Sequence, residues 1–141
     1  MQPTSIDIIA STLDPVLPDL GQFSSPEGAL TLLLTDIANA ATMREGLGDE
    51  RWSELLRDHR AILAGIVGHH DGNIVREEGD GYMVAFSSAH AALHCAIELQ
   101  RTFAGRTVGD LDEPLGIRAG LHTGFVIVNA DDFMGRNVVL A

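Results

Sequence analysis

The segment Arg76-Glu77-Glu78-Gly79-Asp80-Gly81-Tyr82-Met83-Val84-Ala85-Phe86 has the most informative pattern in the chain. A short run, Asn73–Val75, leads into it, and the apolar run Tyr82–Phe86 ends it. Two strand-like runs around a Gly-Asp-Gly corner predict a β-hairpin. The flanking glycines leave the Asp80 carboxylate beside open backbone, which suits a cation that bridges to a phosphate. Asp-Gly is also ordinary turn chemistry, so the corner alone leaves both interpretations open.

The composition indicates one globular domain inside the cell. The chain has 141 residues, of which 45% are hydrophobic, so it can bury a core without disulfides. Its net charge of -11 argues against nonspecific binding to nucleic acid or to an anionic membrane, but allows a nucleotide bridged by metal ions. The single cysteine, Cys95, predicts a reducing, cytoplasmic compartment. The sequence contains no apolar segment near ~20 residues and no basic leader, so we expect neither a membrane span nor a signal peptide.

The order of predicted elements indicates an α+β fold. Residues 1–27 are rich in proline and are interpreted as an N-terminal arm or linker, whereas residues 28–141 form the domain. The domain pattern is strand, helical pair, strand, strand, helix, strand, which is the ferredoxin-like βαββαβ order. We expect a further hairpin that turns at Thr123-Gly124. The last segment, Arg136–Ala141, is predicted to begin a helix that stops mid-pattern, so the domain is expected to be C-terminally incomplete.

Periodicity gives the bounds of these elements. The apolar run from Ala29 predicts a strand buried on both faces, and helical spacing of apolar residues predicts three helices. The predicted elements are a strand over 29–37, helices over 38–47 and 50–67, the hairpin strands over 73–75 and 82–86, a helix over 89–103 with its buried face at Leu93, Ala96, Ile97, Gln100 and Phe103, and strands over 115–122 and 125–128.

This order pairs the hairpin aspartate with a second aspartate. Asp36 comes at the carboxyl end of the first strand, where sheet proteins commonly place ligands. In the ferredoxin-like topology the third strand lies antiparallel to the first, which brings Asp80 beside Asp36. Two carboxylates with no basic side chain between them repel each other unless cations are present. A pair of Mg²⁺ or Mn²⁺ ions there could bind a triphosphate and activate a hydroxyl.

Other chemistry-bearing side chains are assigned structural roles. His59 lies on the apolar stripe of the second helix and is interpreted as a packed histidine. The adjacent His69 and His70 are expected to point apart at a helix end, which argues against a metal site. Cys95 has no base in reach and is interpreted as a structural cysteine.

Two binding classes are discounted. The ferredoxin-like order also occurs in RNA-binding domains, but the predicted sheet lacks the interleaved aromatic and basic residues that RNA contacts require. No Walker-type glycine-rich loop with a lysine is present in the sequence, so a P-loop enzyme is excluded.

Five short motifs, in order, carry a family resemblance. From about residue 29 to the last residue, the chain resembles the class III nucleotidyl (adenylate/guanylate) cyclase catalytic domain. The motifs are Leu34-Thr35-Asp36-Ile37, Gly48-Asp49-Glu50-Arg51-Trp52, Glu78-Gly79-Asp80-Gly81-Tyr82, Ala119-Gly120-Leu121-His122-Thr123-Gly124 and Asp132-Phe133-Met134-Gly135.

The resemblance implies a reaction and a metal site. Domains of this family convert a nucleoside triphosphate into its 3′,5′-cyclic monophosphate and pyrophosphate, and act as head-to-tail homodimers with active sites at the interface. Asp36 and Asp80 match the two metal-binding, catalytic aspartates, and the backbone carbonyl of Ile37 matches a further ligand of the two Mg²⁺ or Mn²⁺ ions.

The resemblance also implies residues that bind the substrate. Arg76 stands where adenylate cyclases usually place a base-reading lysine, and Asp132 matches its partner for the adenine amino group. Both would come from the opposite subunit. Asp132 favours ATP, with GTP as the alternative because Arg76 is not equivalent to lysine. Asn39-Ala40-Ala41 replaces the usual Gly-Ser-Thr phosphate loop, although backbone N–H groups at a helix start can still hold phosphate.

Two departures from the family pattern allow a second interpretation of the function. Val139 stands where the resemblance places an asparagine that orients the ribose, and valine forms no side-chain hydrogen bond. The arginine expected one helical turn later lies beyond Ala141. Loss of one such donor typically costs ~10²–10³ in rate. The alternatives to an adenylate cyclase are therefore a cyclase-homology module that binds nucleotide or a partner without catalysis, and a dimerisation domain that binds no nucleotide.

Overall fold

The computed structural model describes residues 24, 28–126 and 138–139, which include three helices and five strands. The predicted arm, residues 1–27, lies outside this part apart from Ser24. The elements are β1 Ala29–Ile37, α1 Ala40–Leu47, α2 Asp49–His69, β2 Asn73–Glu78, β3 Gly81–Phe86, α3 Ala89–Ala104, β4 Ile117–Val126 and β5 Val138–Val139.

The strands form a single antiparallel sheet in the order β2-β3-β1-β4-β5, so β1 is the central strand. All six residues of β3 are buried, and β1 is buried or half-buried along its whole length. This burial is typical of strands that are covered on both faces, as the continuous apolar runs predict. The α+β class and the ferredoxin-like order are confirmed.

The core lies between one face of this sheet and the helices α2 and α3. Both helices are amphipathic, and each contributes its apolar stripe to a cluster that also takes alternate side chains of β1 and β3. Its principal members are Leu33, Ile37, Trp52, Leu55, Leu63, Ile66, Tyr82, Val84, Phe86, Cys95, Leu99 and Phe103.

The predicted hairpin is present between β2 and β3. A two-residue loop, Gly79-Asp80, connects them, with Glu78 opposite Gly81. Gly79 has a φ of 57°, a value that glycine adopts without steric cost. The loop therefore places Asp80 immediately before the first residue of β3.

The buried face predicted for α3 is partly wrong. Leu93 and Ile97 are exposed, and the buried face consists of Ala92, Cys95, Ala96, Leu99 and Phe103. The small residues at the start of this face let the helix approach the sheet closely. The larger apolar residues Leu93 and Ile97, each one position further along the helix, lie at the margin of the buried face.

The predicted turn at Thr123-Gly124 is also wrong. Both residues lie within β4, where Thr123 pairs with Thr31 and Gly124 pairs with Leu30. The two threonine hydroxyls are hydrogen-bonded at 2.8 Å. Because β1 is nine residues long, it supplies ladder partners for β4 on both sides of the Thr-Gly step.

The prediction of a helix that begins near Arg136 is wrong at Val138 and Val139. Val138 and Val139 form β5, which pairs with Val126 and Phe125 of β4. Valine is a strong strand former, and the free edge of β4 supplies the hydrogen-bonding partner that a local pattern does not reveal. The neighbouring residues, including Asp132, lie outside the described part of the chain.

Candidate functional site

The antiparallel pairing of β1 and β3 brings Asp80 to the end of β1 that carries Asp36. Thr35 lies opposite Tyr82, so the hairpin loop adjoins the last two residues of β1. The backbone N–H of Ile37 donates a hydrogen bond of 2.8 Å to Oδ2 of Asp80. Both carboxylate residues are buried, at 1% exposure for Asp36 and 7% for Asp80. The topology prediction thus correctly placed the two aspartates together.

Asp36 is paired with an arginine that the sequence analysis did not single out. Arg118 lies directly opposite Asp36 in the β1–β4 ladder. Its Nε donates to Oδ1 of Asp36 at 2.7 Å, and its Nη2 donates to Oδ2. The expectation that no basic side chain lies between the carboxylates is therefore wrong. Arg118 could have been found from the sequence through the antiparallel register of β4 with β1, because this register places Arg118 opposite Asp36.

In this ion pair the carboxylate is buried and the guanidinium is half-exposed. The Asp36 side chain is 1% exposed, whereas that of Arg118 is 50% exposed. A buried carboxylate requires a cationic or hydrogen-bonding partner, and a bidentate guanidinium satisfies it well. The exposed side of Arg118 leaves the guanidinium accessible from solvent.

Helix α1 begins immediately after this pair of carboxylates. Its N-cap residue, Asn39, has φ 58° and ψ 33°, a left-handed conformation that asparagine tolerates better than most residues. The Asn39 side chain makes no capping hydrogen bond with the described residues, and the first turn of α1 carries no acidic residue. The N–H groups of this turn therefore remain available to an anion.

Arg76 lies on β2, opposite Met83 and next to an irregularity in the β2–β3 register. It is half-buried, and among the described residues its buried Nε has no hydrogen-bond partner. A buried guanidinium N–H without an acceptor is costly. Arg76 and Asp132 cannot be compared in space, because Asp132 lies outside the described residues.

Aromatic and polar side chains of α2, β2, β3 and α3 pack next to the β2–β3 hairpin. His59 of α2 is fully buried between the rings of Tyr82 and Phe103, at centroid distances of 5.6 and 5.2 Å. Burial lowers the pKa of His59 to about 4, partly opposed by the nearby Asp80 charge. Tyr82 donates to Glu77 at 3.3 Å, and Arg60 also pairs with Glu77. The structure agrees with the packed role predicted for His59.

Cys95 lies in the core, as the sequence analysis predicted. It is fully buried, and burial raises the pKa of its thiol to about 11. A thiol that stays protonated near neutral pH is a poor nucleophile. The structural role assigned to Cys95 is consistent with this environment.

The expected divergence of His69 and His70 is wrong. Their rings pack edge to face with centroids 5.3 Å apart. A nitrogen of each ring approaches the same oxygen, Oε1 of Glu98, at 3.7 Å from His69 and 3.3 Å from His70. Helix α2 ends between the two residues, so the angle between neighbours in a regular helix does not apply.

The donor set at the carboxylate end suits a hard divalent cation. Asp36, Asp80 and the adjoining backbone offer oxygen ligands, which Mg²⁺ and Mn²⁺ prefer over nitrogen or sulfur. Two buried carboxylates at one end of the sheet also need positive charge, of which Arg118 supplies one unit. The residues present therefore fit a metal ion.

These features define the class of protein. The model of the adenylate and guanylate cyclase catalytic domain matches residues 23–137. The chain belongs to that family. Among the helices that the structure describes, none is long and apolar enough to cross a membrane.

Two relatives of known sequence are much longer proteins than this chain. The chain is 32% identical over 109 residues to the serine/threonine-protein kinase pkn2 of Myxococcus xanthus, across 76% of this chain and 13% of the kinase. It is 34% identical over 93 residues to putative adenylate cyclase 3 of Rhizobium meliloti, across 64% of this chain and 14% of that protein. The chain thus spans about one seventh or less of each.

A solved structure shows the same fold. The guanylate cyclase domain of RhGC from Catenaria anguillulae, crystallised with GTP, superposes with a TM-score of 0.65 at 16% identity. The match covers 82% of this chain and 66% of that one. At this identity the likeness establishes the fold alone.

Proposed function

We propose that this domain is an adenylate cyclase, which converts ATP into cyclic AMP and pyrophosphate at the end of the sheet that carries Asp36 and Asp80. The observation that carries the proposal is the hydrogen bond from the Ile37 N–H to Asp80, because it holds the two buried carboxylate residues at one place. Buried carboxylates are costly without a counter-charge, so the presence of two at one end of the sheet favours a cation-dependent role.

The proposed metal ligands are Asp36, Asp80 and the backbone carbonyl of Ile37. Two Mg²⁺ or Mn²⁺ ions, when bound, would neutralise phosphate charge and make the attacking hydroxyl more acidic. When a metal ion binds, the carboxylate of Asp36 would lose part of its hydrogen bonding with Arg118 and bind the ion instead.

Arg118 would then act on the substrate. A guanidinium displaced from Asp36 remains at the same end of the sheet, where it can donate to phosphate oxygens. In the reaction, the 3′ hydroxyl oxygen bonds to the α-phosphorus, the bond from that phosphorus to the bridging oxygen breaks, and pyrophosphate leaves. The hydroxyl proton passes to solvent. Arg118 would stabilise the charge that develops on the leaving group.

The start of α1 is the proposed phosphate cradle. Asn39 turns the chain into α1 two residues after Ile37, and the first turn of α1 contains no acidic residue. Backbone N–H groups and the positive end of a helix bind phosphate without any hydroxyl side chain. This arrangement would compensate for the alanines at positions 40 and 41.

A second copy of the chain would complete the site. Arg76 and Asp132 are proposed to read the base across a head-to-tail homodimer. The buried Nε of Arg76, which has no hydrogen-bond partner within the described part of the chain, is a donor that a base or a carboxylate can accept from. Leu121 and Phe125 of β4 are exposed and offer apolar surface that an interface would bury. Asp132 favours ATP over GTP, since its carboxylate accepts from the amino group of adenine.

A noncatalytic nucleotide-binding module is the second candidate. The ion pair between Arg118 and Asp36 already neutralises one carboxylate, and Val139 offers no side-chain hydrogen bond to a ribose. Such a domain would bind ATP in the presence of Mn²⁺ and release it unchanged.

One experiment separates the two candidates. The chain is incubated at high concentration with Mn²⁺ and either ATP or GTP, cyclic nucleotide is quantified by chromatography, and nucleotide binding is measured by calorimetry. Cyclic AMP that disappears in Asp36→Asn and Asp80→Asn, but persists in the exposed control Asp58→Asn, supports the adenylate cyclase. Cyclic GMP as the only product overturns the choice of base. Metal-dependent binding without product supports the module, and no binding at all overturns both candidates.

A further inference from the structure

We propose that His69, His70 and Glu98 form a zinc-binding site that joins the C-terminal end of α2 to α3. This site is separate from the carboxylate end of the sheet. The segment that carries the histidines leads into Asn73, at the opposite end of β2 from the Gly79-Asp80 loop. Five residue steps of a strand separate the two ends, which is about 16 Å.

The ligand atoms of these three side chains lie close enough together to bind one metal ion. Oε1 of Glu98 lies 3.3 Å from Nε2 of His70 and 3.7 Å from Nδ1 of His69, and one ligand atom from each residue falls within 4.8 Å of the others. The shorter contact is long for a hydrogen bond from nitrogen to oxygen, and the longer one lies outside that range. Ligand atoms around a tetrahedral zinc, with bonds of about 2.0–2.1 Å, lie about 3.3 Å apart.

The backbone holds the two imidazoles in this arrangement. The N–H groups of His70 and Gly72 both donate to the carbonyl of Val67, which fixes the turn after α2. A Cβ at Gly72 would lie 2.7 Å from the Phe86 ring, so the turn is packed directly against the core. Glu98 projects from the third turn of α3, a separate rigid element. The three ligands are therefore preorganised by parts of the chain that are distant in sequence.

The donor set selects the ion. Two imidazole nitrogens and one carboxylate oxygen are a common ligand set of zinc sites that keep a fourth position for water. Mg²⁺ and Ca²⁺ prefer sites made only of oxygen, so they compete poorly here. The side chain of His69 is 76% exposed and that of His70 is 18% exposed, which gives an ion access from solvent on one side.

The test is a zinc titration of the complete chain, free of any affinity tag and with millimolar Mg²⁺ present to occupy the carboxylate end. A chromophoric chelator reports free Zn²⁺, and the melting temperature is measured with Zn²⁺ and with a chelator. We expect one zinc ion at this site and a rise in melting temperature on zinc addition. His69→Gln and Glu98→Gln should each weaken zinc binding at least tenfold and abolish the rise, because each removes one of three ligands.

A matched control uses another histidine pair. His90 and His94 are exposed on α3 with ring centroids 4.2 Å apart, and as an i, i+4 pair they could chelate a metal by themselves. The double variant His90→Gln/His94→Gln should keep the tight zinc site. The proposal is overturned if this control loses the tight site, or if His69→Gln and Glu98→Gln bind zinc as tightly as the unchanged chain. Equal melting temperatures of all variants in chelator would show that their folds are intact.

Discussion

The two ends of the β2–β3 hairpin present opposite chemistry on the same pair of strands. At the loop end, Asp80 and Asp36 supply buried oxygen ligands, and Arg118 balances their charge. At the other end, His69 and His70 supply partly accessible nitrogens around the carboxylate of Glu98. The loop end combines two buried carboxylates with a cation, whereas the histidine end combines two imidazoles with one partly exposed carboxylate. Burial and donor type therefore separate a proposed catalytic end from a proposed zinc-binding end.

The largest expected effect concerns the loop end. Asp80→Asn keeps the shape of the side chain but removes its charge, so we expect cyclic nucleotide formation with Mn²⁺ to fall about 10²–10³-fold. The matched control is Asp71→Asn at the histidine end, where φ is 59° and asparagine is tolerated. Equal activity of Asp80→Asn and the unchanged chain would remove the chemical distinction between the two ends.

The buried histidine below the loop end should make stability depend on pH. The pKa of His59 is about 4 in the folded chain and about 6.5 when unfolded. Between these values the unfolded chain binds a proton that the folded chain does not. Stability is therefore full above about pH 6.5 and is lost as the pH falls towards 4, by about 3 kcal/mol.

Denaturant unfolding at several pH values measures this loss. His59→Leu should flatten the dependence in that window, because it removes the titrating group. His94→Gln, an exposed histidine of α3, serves as the control and should leave the slope unchanged. A slope that is the same in His59→Leu would contradict the assignment.

Removal of Arg118 should destabilise the loop end and make it respond more strongly to metal. Arg118→Gln leaves the Asp36 carboxylate buried without its cation, and because Arg118 is half-exposed we expect a loss of about 2–3 kcal/mol. Mn²⁺ should raise the melting temperature of this variant more than that of the unchanged chain. The control Arg51→Gln breaks an exposed pair with Asp110 and should cost at most about 1 kcal/mol. An equal Mn²⁺ shift in all three proteins would refute competition between Arg118 and a metal ion.

The smallest expected effect concerns the histidine end. Gly72→Ala places a methyl group 2.7 Å from the Phe86 ring, so we expect a loss of about 1–2 kcal/mol through overpacking. The same change at Gly68, where the added atom meets nothing within 4 Å, is the control. If the turn carries the zinc ligands, Gly72→Ala should weaken zinc binding as well, whereas Gly68→Ala should not. Zinc affinity that is unchanged in Gly72→Ala would show that the turn does not position the ligands.

Local pattern was sufficient for several elements of the fold. The continuous apolar runs of β1 and β3 and the Gly-Asp-Gly corner predicted strands and a hairpin that the structure contains. Local chemistry also starts α3, since its N-cap residue Ser88 accepts a hydrogen bond from the N–H of Ala91 at 3.2 Å. These features depend on neighbours in sequence, so their signals lie within a few residues.

The errors arose where distant partners decide the outcome. The Thr123-Gly124 step resembles a turn in isolation, but nine residues of β1 offer it a ladder partner. The buried face of α3 lies one position away from most of the predicted residues, because packing against the sheet fixes the rotation of the helix, which a helical pattern defines only to within about one position. The roles of Arg76 and Asp132 in reading the base remain predictions.

From the sequence alone, the central strand, the β2–β3 hairpin, the three helices and the two aspartates at the strand ends could be predicted, because burial periodicity and turn chemistry act over short spans. The tertiary structure alone decided which cation stands beside Asp36 and whether His69 and His70 converge. Both depend on cross-strand register and on where a helix ends against its neighbour. Those contacts join residues up to 82 positions apart, and no local pattern encodes them.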